Sequence, residues 1–513
     1  MPDATSYDEV PYACHPVTYS HPDILATIGR IFGLDPPAVE TSRVLELGCG
    51  DGTNLIPIAC GLPESKCVGI DLSERQINDG LAFLADLPVP NVSLSATSIL
   101  DIDDSYGQFD YIICHGVYSW VPPVVQEKIL QICSRNLSPH GLAYISYNTY
   151  PGWHQRRMIR EMMQFHVNRF TAARERIAEA RKFLDFVIEV NQTQGQTTVY
   201  LAQLQEEALT LRDSTDSYLL HELLEEVNEP IYFHQFVERA AQHGLQYVSE
   251  ARLSDSASRL SPQAKQLVAQ WAENWVEIEQ YMDFLRNGTF RRSILCHSSL
   301  NVERAPTLTS LAGFYLAARS RPSSPKESLA STAIATFETP DGATVSTNNP
   351  LVKTALWLLH DAFPRSLPFA EVFAEVQDRL TNDPDLPGDI DLHDEAVFSR
   401  TMMQCCFAHL AELHVHSPEM VTSASARPRS TDLIREQSRR THIVSNLRHM
   451  SVKLSDWDRA VLGLLDGSRD HGQLLAELRT ICVENQQPLE EASIGAALDD
   501  ALLRFGKTAL LVG

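Results

Sequence analysis

Short apolar runs alternate along the first third of the chain with stretches whose apolar residues recur at helical spacing. Val44, Leu45 and Leu47 form one run, Cys67–Ile70 a second, Asn91–Leu94 a third, Phe109–Cys114 a fourth and Leu142–Tyr147 a fifth. Each has the length and apolarity of a buried parallel strand. Between them, Glu74–Leu84 carries Ile77, Leu81 and Leu84 on one helical face, and Val124–Leu137 reads as a helix ended by Ser-Pro-His-Gly. Strand and helix in this order predict an α/β fold, a parallel sheet with helices on both faces. Further on, Phe236–Gly244 predicts a helix, and Leu245–Val248 and Phe290–His297 predict two more strands, placed as the antiparallel close of the same sheet. The intervening residues 155–230 then form a helical insertion. Its segments Arg174–Val190 and Val199–Leu211 are amphipathic, suited to covering an active site or pairing with a second copy of the chain.

Residues 1–300 are therefore expected to form the main domain, followed by a linker at 301–330 that contains the Ser/Pro-rich Arg319–Ser328. A middle domain is expected at 331–421, strand-rich over Ala333–Val345 and then helical over Thr354–Phe363 and Pro368–Leu380. A second loose segment, 422–450, is rich in Ser and Arg. The last unit, 451–513, opens with a helix capped by Ser455 or Asp456 and ended by Gly467, and closes on an apolar strand near Ala509–Val512. This is a small α+β, winged-helix-like pattern, but it carries no basic recognition helix.

At 513 residues the chain calls for several domains. The balance of 42 Lys+Arg against 66 Asp+Glu, a net −24, speaks against nucleic acid and anionic membranes as partners. Ten cysteines without a Cys-x-x-Cys, a polar acidic start and no apolar run of about eighteen residues point to the cytoplasm and away from membrane insertion. No His/Asp/Glu cluster has metal-ligand spacing near the strand ends, so no metal is expected.

The chemistry concentrates at strand ends. Arg43–Asn54 reads Arg-Val-Leu-Glu-Leu-Gly-Cys-Gly-Asp-Gly-Thr-Asn, with Gly48, Gly50 and Gly52 recurring every second residue after the first strand. Such a turn lets backbone approach a ligand closely. It lacks the spacing and Lys-Ser/Thr of a P-loop and differs from the dinucleotide fingerprint. About 20 residues later the second strand ends in Asp71, where doubly wound folds hydrogen-bond a ribose. The plain alternative, that Asp71 only caps the next helix, loses weight at this distance from the glycine turn.

Beyond strands four and five lie His115-Gly-Val-Tyr118-Ser-Trp120-Val-Pro and Tyr147-Asn148-Thr-Tyr-Pro-Gly-Trp153-His. An aromatic-walled pocket favours a neutral amine over an ammonium and holds an approaching cation at ~0.5–2 kcal/mol per ring. Tyr118, Trp120, Tyr147, Asn148 and Trp153 are thus candidate catalytic residues, with tyrosine hydroxyls and the Asn148 carbonyl orienting the amine. The competing reading is that Tyr118, Trp120 and Trp153 pack the base of the insertion. His115 is open to three roles: adenine contact, proton acceptor or core residue.

The glycine turn with Glu46 and Asp71 resembles the class I S-adenosylmethionine-dependent methyltransferases, whose sheet is seven-stranded and Rossmann-like. Tyr7–Tyr12, Phe109–Pro122, Tyr147–His154, Tyr218–Glu222 and Asn228–Phe233 further resemble the methyltransferases with an appended regulatory domain. That group includes the rickettsial lysine methyltransferases of outer-membrane proteins. The resemblance implies S-adenosylmethionine as cofactor, lysine side chains of a protein as substrate, and a homodimer. It places the cofactor against Glu46, Gly48, Cys49, Gly50, Asn54, Asp71, Leu72, Gln76, Ser98, Ile99 and His115. Ser98 stands where the family commonly has Asp, which shifts the adenine contact to backbone near Ser98 and Ile99, or to Asp101.

Overall fold

The computed structural model describes residues 14–193, 198–212, 214–255, 261–304, 310–323, 329–381, 383–388, 390–484 and 491–513; the Tyr7–Tyr12 motif lies outside them. Seven strands form one sheet: β1 (Arg43–Leu47), β2 (Lys66–Asp71), β3 (Val92–Ala96), β4 (Phe109–Cys114), β5 (Leu137–Asn148), β6 (Leu245–Glu250) and β7 (Phe290–His297). Their order is β3-β2-β1-β4-β5-β7-β6. The first five pair in parallel, and β7 runs antiparallel to both β5 and β6. The chain therefore steps outward from β1 to β3 and returns beside β1 with β4. The crevice beyond the β1 and β4 carboxyl ends is the topological switch point, where ligands of such sheets bind.

Side chains alternate across the sheet as a strand requires. Leu142 and Tyr144 of β5 join the layer of helix Pro22–Ile31, whereas Ala143, Ile145 and Tyr147 join that of helices Pro123–Arg135 and Phe233–Gln242. β5 begins five residues earlier than its apolar run suggests. Leu137 already pairs with Phe109, and the register then shifts before Tyr111 meets Leu142. Ser-Pro-His-Gly sits in that irregularity, where a proline costs no ladder bond.

The insertion folds as helices Trp153–Val167, Ala173–Thr193 and Val199–Arg212 around a core of their own, including Met163, Ala180 and Leu204. The stretch read as a linker carries structure. Tyr315–Ala317 is the centre of a three-stranded sheet with Leu367–Pro368 and Glu412–His414, and Arg321–Pro322 edges a second with Ala335–Glu338 and Thr344–Thr347. Residues 324–328 of it lie outside the described residues. Apolar side chains of this middle part, such as Leu316 and Leu359, are continuous with the layer on one face of the main sheet.

Residues 422–450 are not a loose segment either. Helix Asp432–Arg440 buries Leu433, Ile434, Gln437 and Ser438, and its polar remainder made it read as a linker. Ile443–Ser445 and Ser451–Lys453 form an antiparallel hairpin. With helices Asp456–Leu464, His471–Glu484 and Glu491–Lys507 they enclose a separate core. The Ser455 side chain accepts from Asp458 N–H and caps helix Asp456–Leu464 as expected. The strand expected near Ala509–Val512 is only a single bridge from Val512 to Arg429.

Candidate active site

The glycine turn folds back over β2: Gly48 N–H and Cys49 N–H both donate to the Ile70 carbonyl, at 2.8 and 3.0 Å. Gly48 has φ +73°, and a Cβ there would lie 2.4 Å from Val117 Cγ2 of the loop after β4. Gly50 has φ +57°, and a Cβ would meet Cys14 Sγ at 2.8 Å. Glycine is needed at both for conformation and for space. Asp71, at the end of β2, accepts from Gly50 N–H at 2.8 Å through Oδ2 and from Ser73 N–H at 2.9 Å through Oδ1. The next helix is capped by Ser73 instead, whose side chain accepts from Gln76 N–H at 3.2 Å, so Asp71 is not its cap.

Glu46 is buried at the end of β1. Asn54 Nδ2 donates to its Oε1 at 2.7 Å, while Oε2 is buried with no hydrogen-bond partner among the described residues. Burial, opposed by the Asn54 bond and aided by nearby Asp71 and Asp51, pushes its pKa up to about 8. A buried carboxylate with one bare oxygen is a site that asks for a cation. The ammonium of an amino-acid moiety satisfies that demand, so the residues present fit S-adenosylmethionine. Cys49 is buried beside the turn, and burial raises its thiol pKa far above the ordinary range. Gln76 is buried, with Nε2 donating to Cys14 Sγ at 3.8 Å.

At the other end of the crevice, Leu72 follows β2 and is 58% exposed. Ile99 is half-buried after the neighbouring strand β3. Ser98 Oγ accepts from Leu100 N–H at 3.2 Å, so its hydroxyl caps a turn.

After β4, His115 Nδ1 lies 2.9 Å from Tyr144 Oη and 3.1 Å from Ser146 Oγ. Burial, with Arg292 nearby, lowers its pKa to about 4. It is a weak base, which counts against the proton-acceptor role and leaves adenine contact or packing.

The aromatic cluster corrects part of the sequence reading. Tyr118 and Tyr147 are each 1% exposed and belong to the layer beneath the sheet, where Phe236 stacks on Tyr147 at 4.1 Å and meets Tyr118 edge-on at 5.4 Å. Tyr147 Oη bonds Ser293 Oγ at 3.1 Å. Tyr118 Oη is buried without a hydrogen-bond partner in normal geometry among the described residues, and burial pushes its pKa up to about 12 against the pull of Arg239. Trp153 is also 1% exposed, edge-on to Trp120 at 6.1 Å. These three side chains pack the floor and the base of the insertion. The strand alternation that turns Tyr147 downward was available in the sequence, but the faces were not.

Asn148 remains at the mouth, buried, with its Nδ2 unpartnered among the described residues. The mouth also holds a segment that sequence reading quoted only as a family motif. Glu229 N–H donates to the Ser119 carbonyl at 2.8 Å, Ile231 N–H to the Asn148 carbonyl at 3.1 Å, and Thr149 Oγ1 to the Ile231 carbonyl at 2.8 Å. Asn228 thereby comes to the ends of β4 and β5, and both polar atoms of its amide are buried and unpartnered among the described residues. Outside it, Tyr150 stacks on His154 at 4.1 Å, and His154 Nε2 lies 3.0 Å from Tyr232 Oη.

A cavity of about 820 Å³ lies elsewhere, between the helix Pro22–Ile31, the middle part and the C-terminal hairpin, lined among others by Thr27, Cys60, Arg252, His414 and Arg448. Glu46, Gly48, Gly50 and Asp71 are not among its lining residues.

Comparison with known proteins agrees with this geometry. A sequence model described as "Methyltransferase domain" matches residues 44–141, one described as "Predicted methyltransferase regulatory domain" matches 215–297, and one described as "PKMT, C-terminal winged helix domain" matches 426–509. PKMT2 from Rickettsia typhi superposes with a TM-score of 0.85 at 31% identity, covering 98% of this chain and 100% of that one. It has also been solved in complex with AdoHcy. The chain belongs to the PKMT family of class I methyltransferases. RP789 of Rickettsia prowazekii is 36% identical over 477 residues, 91% of this chain and 84% of that protein. RP028 of the same organism is 48% identical over 237 residues, 46% of this chain and 93% of that protein. The chain is an S-adenosylmethionine-dependent methyltransferase. Its last unit is the family's winged-helix domain. Among the described residues no helix is long and apolar enough to cross a membrane.

Proposed function

We propose that this methyltransferase acts on lysine side chains of a protein. The observation that carries the reading is the end-to-end likeness to PKMT2, which includes the insertion and the C-terminal domains and not just the cofactor-binding sheet. A small metabolite needs no such apparatus. The insertion also exposes Phe165 (81%), Val199 (77%) and Leu209 (64%), which supports a role in dimerisation or protein docking. No disulfide joins the described cysteines, which supports a reducing, cytoplasmic setting.

In this reading Glu46 holds the cofactor's ammonium, the Gly48–Gly50 backbone passes under its amino-acid portion, and Asp71 binds the ribose hydroxyls. Leu72 and Ile99 enclose the adenine. When bound, S-adenosylmethionine supplies an electrophilic methyl on its sulfonium sulfur. At the ends of β4 and β5 the Asn228 Oδ1, unpartnered among the described residues, can accept from an incoming amine, with the Asn148 Nδ2 likewise unpartnered beside it. Trp120 and the Tyr150–His154–Tyr232 group give that mouth aromatic walls, which favour the deprotonated amine by excluding water.

The test uses the full chain with methyl-labelled cofactor, a panel of candidate proteins, and small amines as competitors. Tandem mass spectrometry is expected to place the added methyl on lysine Nζ. Label found only in small molecules, or on another residue type, overturns the lysine assignment while leaving the methyltransferase fold intact.

A further inference from the structure

We propose that His449, in the turn of the winged-helix hairpin, is a positioning residue of the cofactor pocket and acts through Asn54 on the Glu46 carboxylate. The winged-helix domain thereby completes a site built at the other end of the chain. The inference needs the cofactor but not the identity of the methyl acceptor.

Asn54 has all four of its hydrogen-bonding capacities filled. Its Oδ1 accepts from Val17 N–H at 2.8 Å and from His449 Nε2 at 2.7 Å, and its Nδ2 donates to Ser20 Oγ at 3.1 Å and Glu46 Oε1 at 2.7 Å. The direction of each bond follows from one fixed donor. Val17 N–H can only donate, so it faces Oδ1, and this turns Nδ2 toward Glu46. His449 must then carry its proton on Nε2. Burial, together with the His21 ring 5.2 Å away, keeps His449 well below the ordinary histidine range and therefore neutral. A neutral ring with one N–H is what the relay requires.

The turn is braced for this contact. His449 takes φ +54°, a left-handed conformation that a non-glycine residue adopts only when its surroundings hold it there. Its carbonyl accepts from Thr18 Oγ1 at 2.8 Å, and its N–H donates to the Asn446 carbonyl at 3.0 Å. Asn446 Oδ1 in turn accepts from Arg448 N–H and Met450 N–H, both at 2.9 Å, and its Nδ2 donates to the Thr508 carbonyl at 2.9 Å. His449 also lines the interdomain cavity, so this reach is made across an interface that is not close-packed throughout.

The consequence is local. With four bonds the Asn54 amide has one orientation, which fixes Glu46 Oε1 and leaves Oε2 as the free acceptor. Without the histidine donor only Val17 N–H holds Oδ1, so the amide and the Glu46 Oε1 it bonds are held less firmly.

The experiment titrates S-adenosylhomocysteine into the full chain by calorimetry, with thermal unfolding of the apo proteins in parallel. His449→Phe keeps the ring shape without the donor and is expected to bind ~10-fold more weakly, with little change in the unfolding temperature. His449→Gln, whose amide nitrogen reaches the Nε2 position, is expected to restore affinity to within about threefold of the parent. Adding His449→Phe to Asn54→Ala is expected to change affinity by less than about twofold, since the histidine acts only through Asn54. Parental affinity in His449→Phe overturns the proposal, and so does a full additional loss in the double variant. Should His449→Phe fail to fold, His449→Gln against the shorter His449→Asn gives the same contrast, and equal affinity of those two overturns it.

Discussion

Glu46→Gln tests the cofactor pocket at its most unusual group. In the free protein burial holds the Glu46 carboxyl at a pKa of about 8, so at pH 7 it is about nine-tenths protonated. Pairing its bare Oε2 with the cofactor's ammonium requires the ionised form. Binding at pH 7 should therefore release about 0.9 proton, and affinity should rise ~10-fold between pH 6 and pH 7. Titration of S-adenosylhomocysteine in two buffers of different ionisation enthalpy reads the proton count directly. Glu46→Gln keeps the shape and removes the charge. It should flatten that pH dependence and weaken binding by ~1.5–3 kcal/mol, the range for a hydrogen bond to a charged group. Without cofactor the sign reverses. An acid whose folded pKa lies above its unfolded value of about 4.3 costs stability as pH rises from there to about 8, so the apo variant should unfold at a higher temperature than the parent at pH 8. Flat affinity from pH 6 to 7 in the parent, or parental affinity in Glu46→Gln, refutes the pairing.

Asp71→Ala should weaken S-adenosylhomocysteine binding by ~1–3 kcal/mol in calorimetry, and unchanged affinity would place the ribose elsewhere. Tyr118→Phe removes a buried hydroxyl that has no hydrogen-bond partner among the described residues. Turnover and cofactor affinity should stay at the parental level, and a fall in kcat of about tenfold or more would return Tyr118 to the reaction. Arg291 is 4% exposed, bonds Asp283 at 2.8 Å, Glu250 at 3.0 Å and Glu279 at 3.3 Å, and sits over Phe233 at 3.9 Å. Arg291→Ala strands three acids beside β6 and β7 and should cost ~3–5 kcal/mol in chemical denaturation, whereas an unchanged midpoint would mean the cluster relaxes to water.

The sheet was legible because its signals are local. β4 and β7 and the helix Glu74–Leu84 have the bounds that their apolar runs indicate, and β2 ends on Asp71 as its run does. The start of β5 was hidden because Pro139 and Gly141 read as a stop, while the register shift that accommodates them depends on β4. Helix Asp432–Arg440 was missed for its Arg/Ser-rich outer face, although Leu433, Ile434 and Gln437 already sat at helical spacing. At the site, Glu46, the glycine turn and Asp71 come together as their spacing implies, since β1 and β2, which carry them, are adjacent parallel strands. Tyr118 and Tyr147 did not join the pocket, because composition shows that aromatics gather near a strand end but not which layer they face. Asn228 and His449 could not be found from local pattern. Asn228 reaches the mouth only after the insertion folds back on β5, and His449 meets Asn54 across 395 positions of sequence.

We propose that Glu46, near the end of β1, and Asp71, at the end of β2, hold the ammonium and the ribose of one cofactor molecule. A crystal structure of the full chain with S-adenosylhomocysteine measures this most directly. The ligand's ammonium is expected within hydrogen-bond distance of Glu46 Oε2 and both ribose hydroxyls on Asp71, with the sulfur facing the ends of β4 and β5. An ammonium turned away from Glu46, with that carboxylate still unpaired, would contradict it.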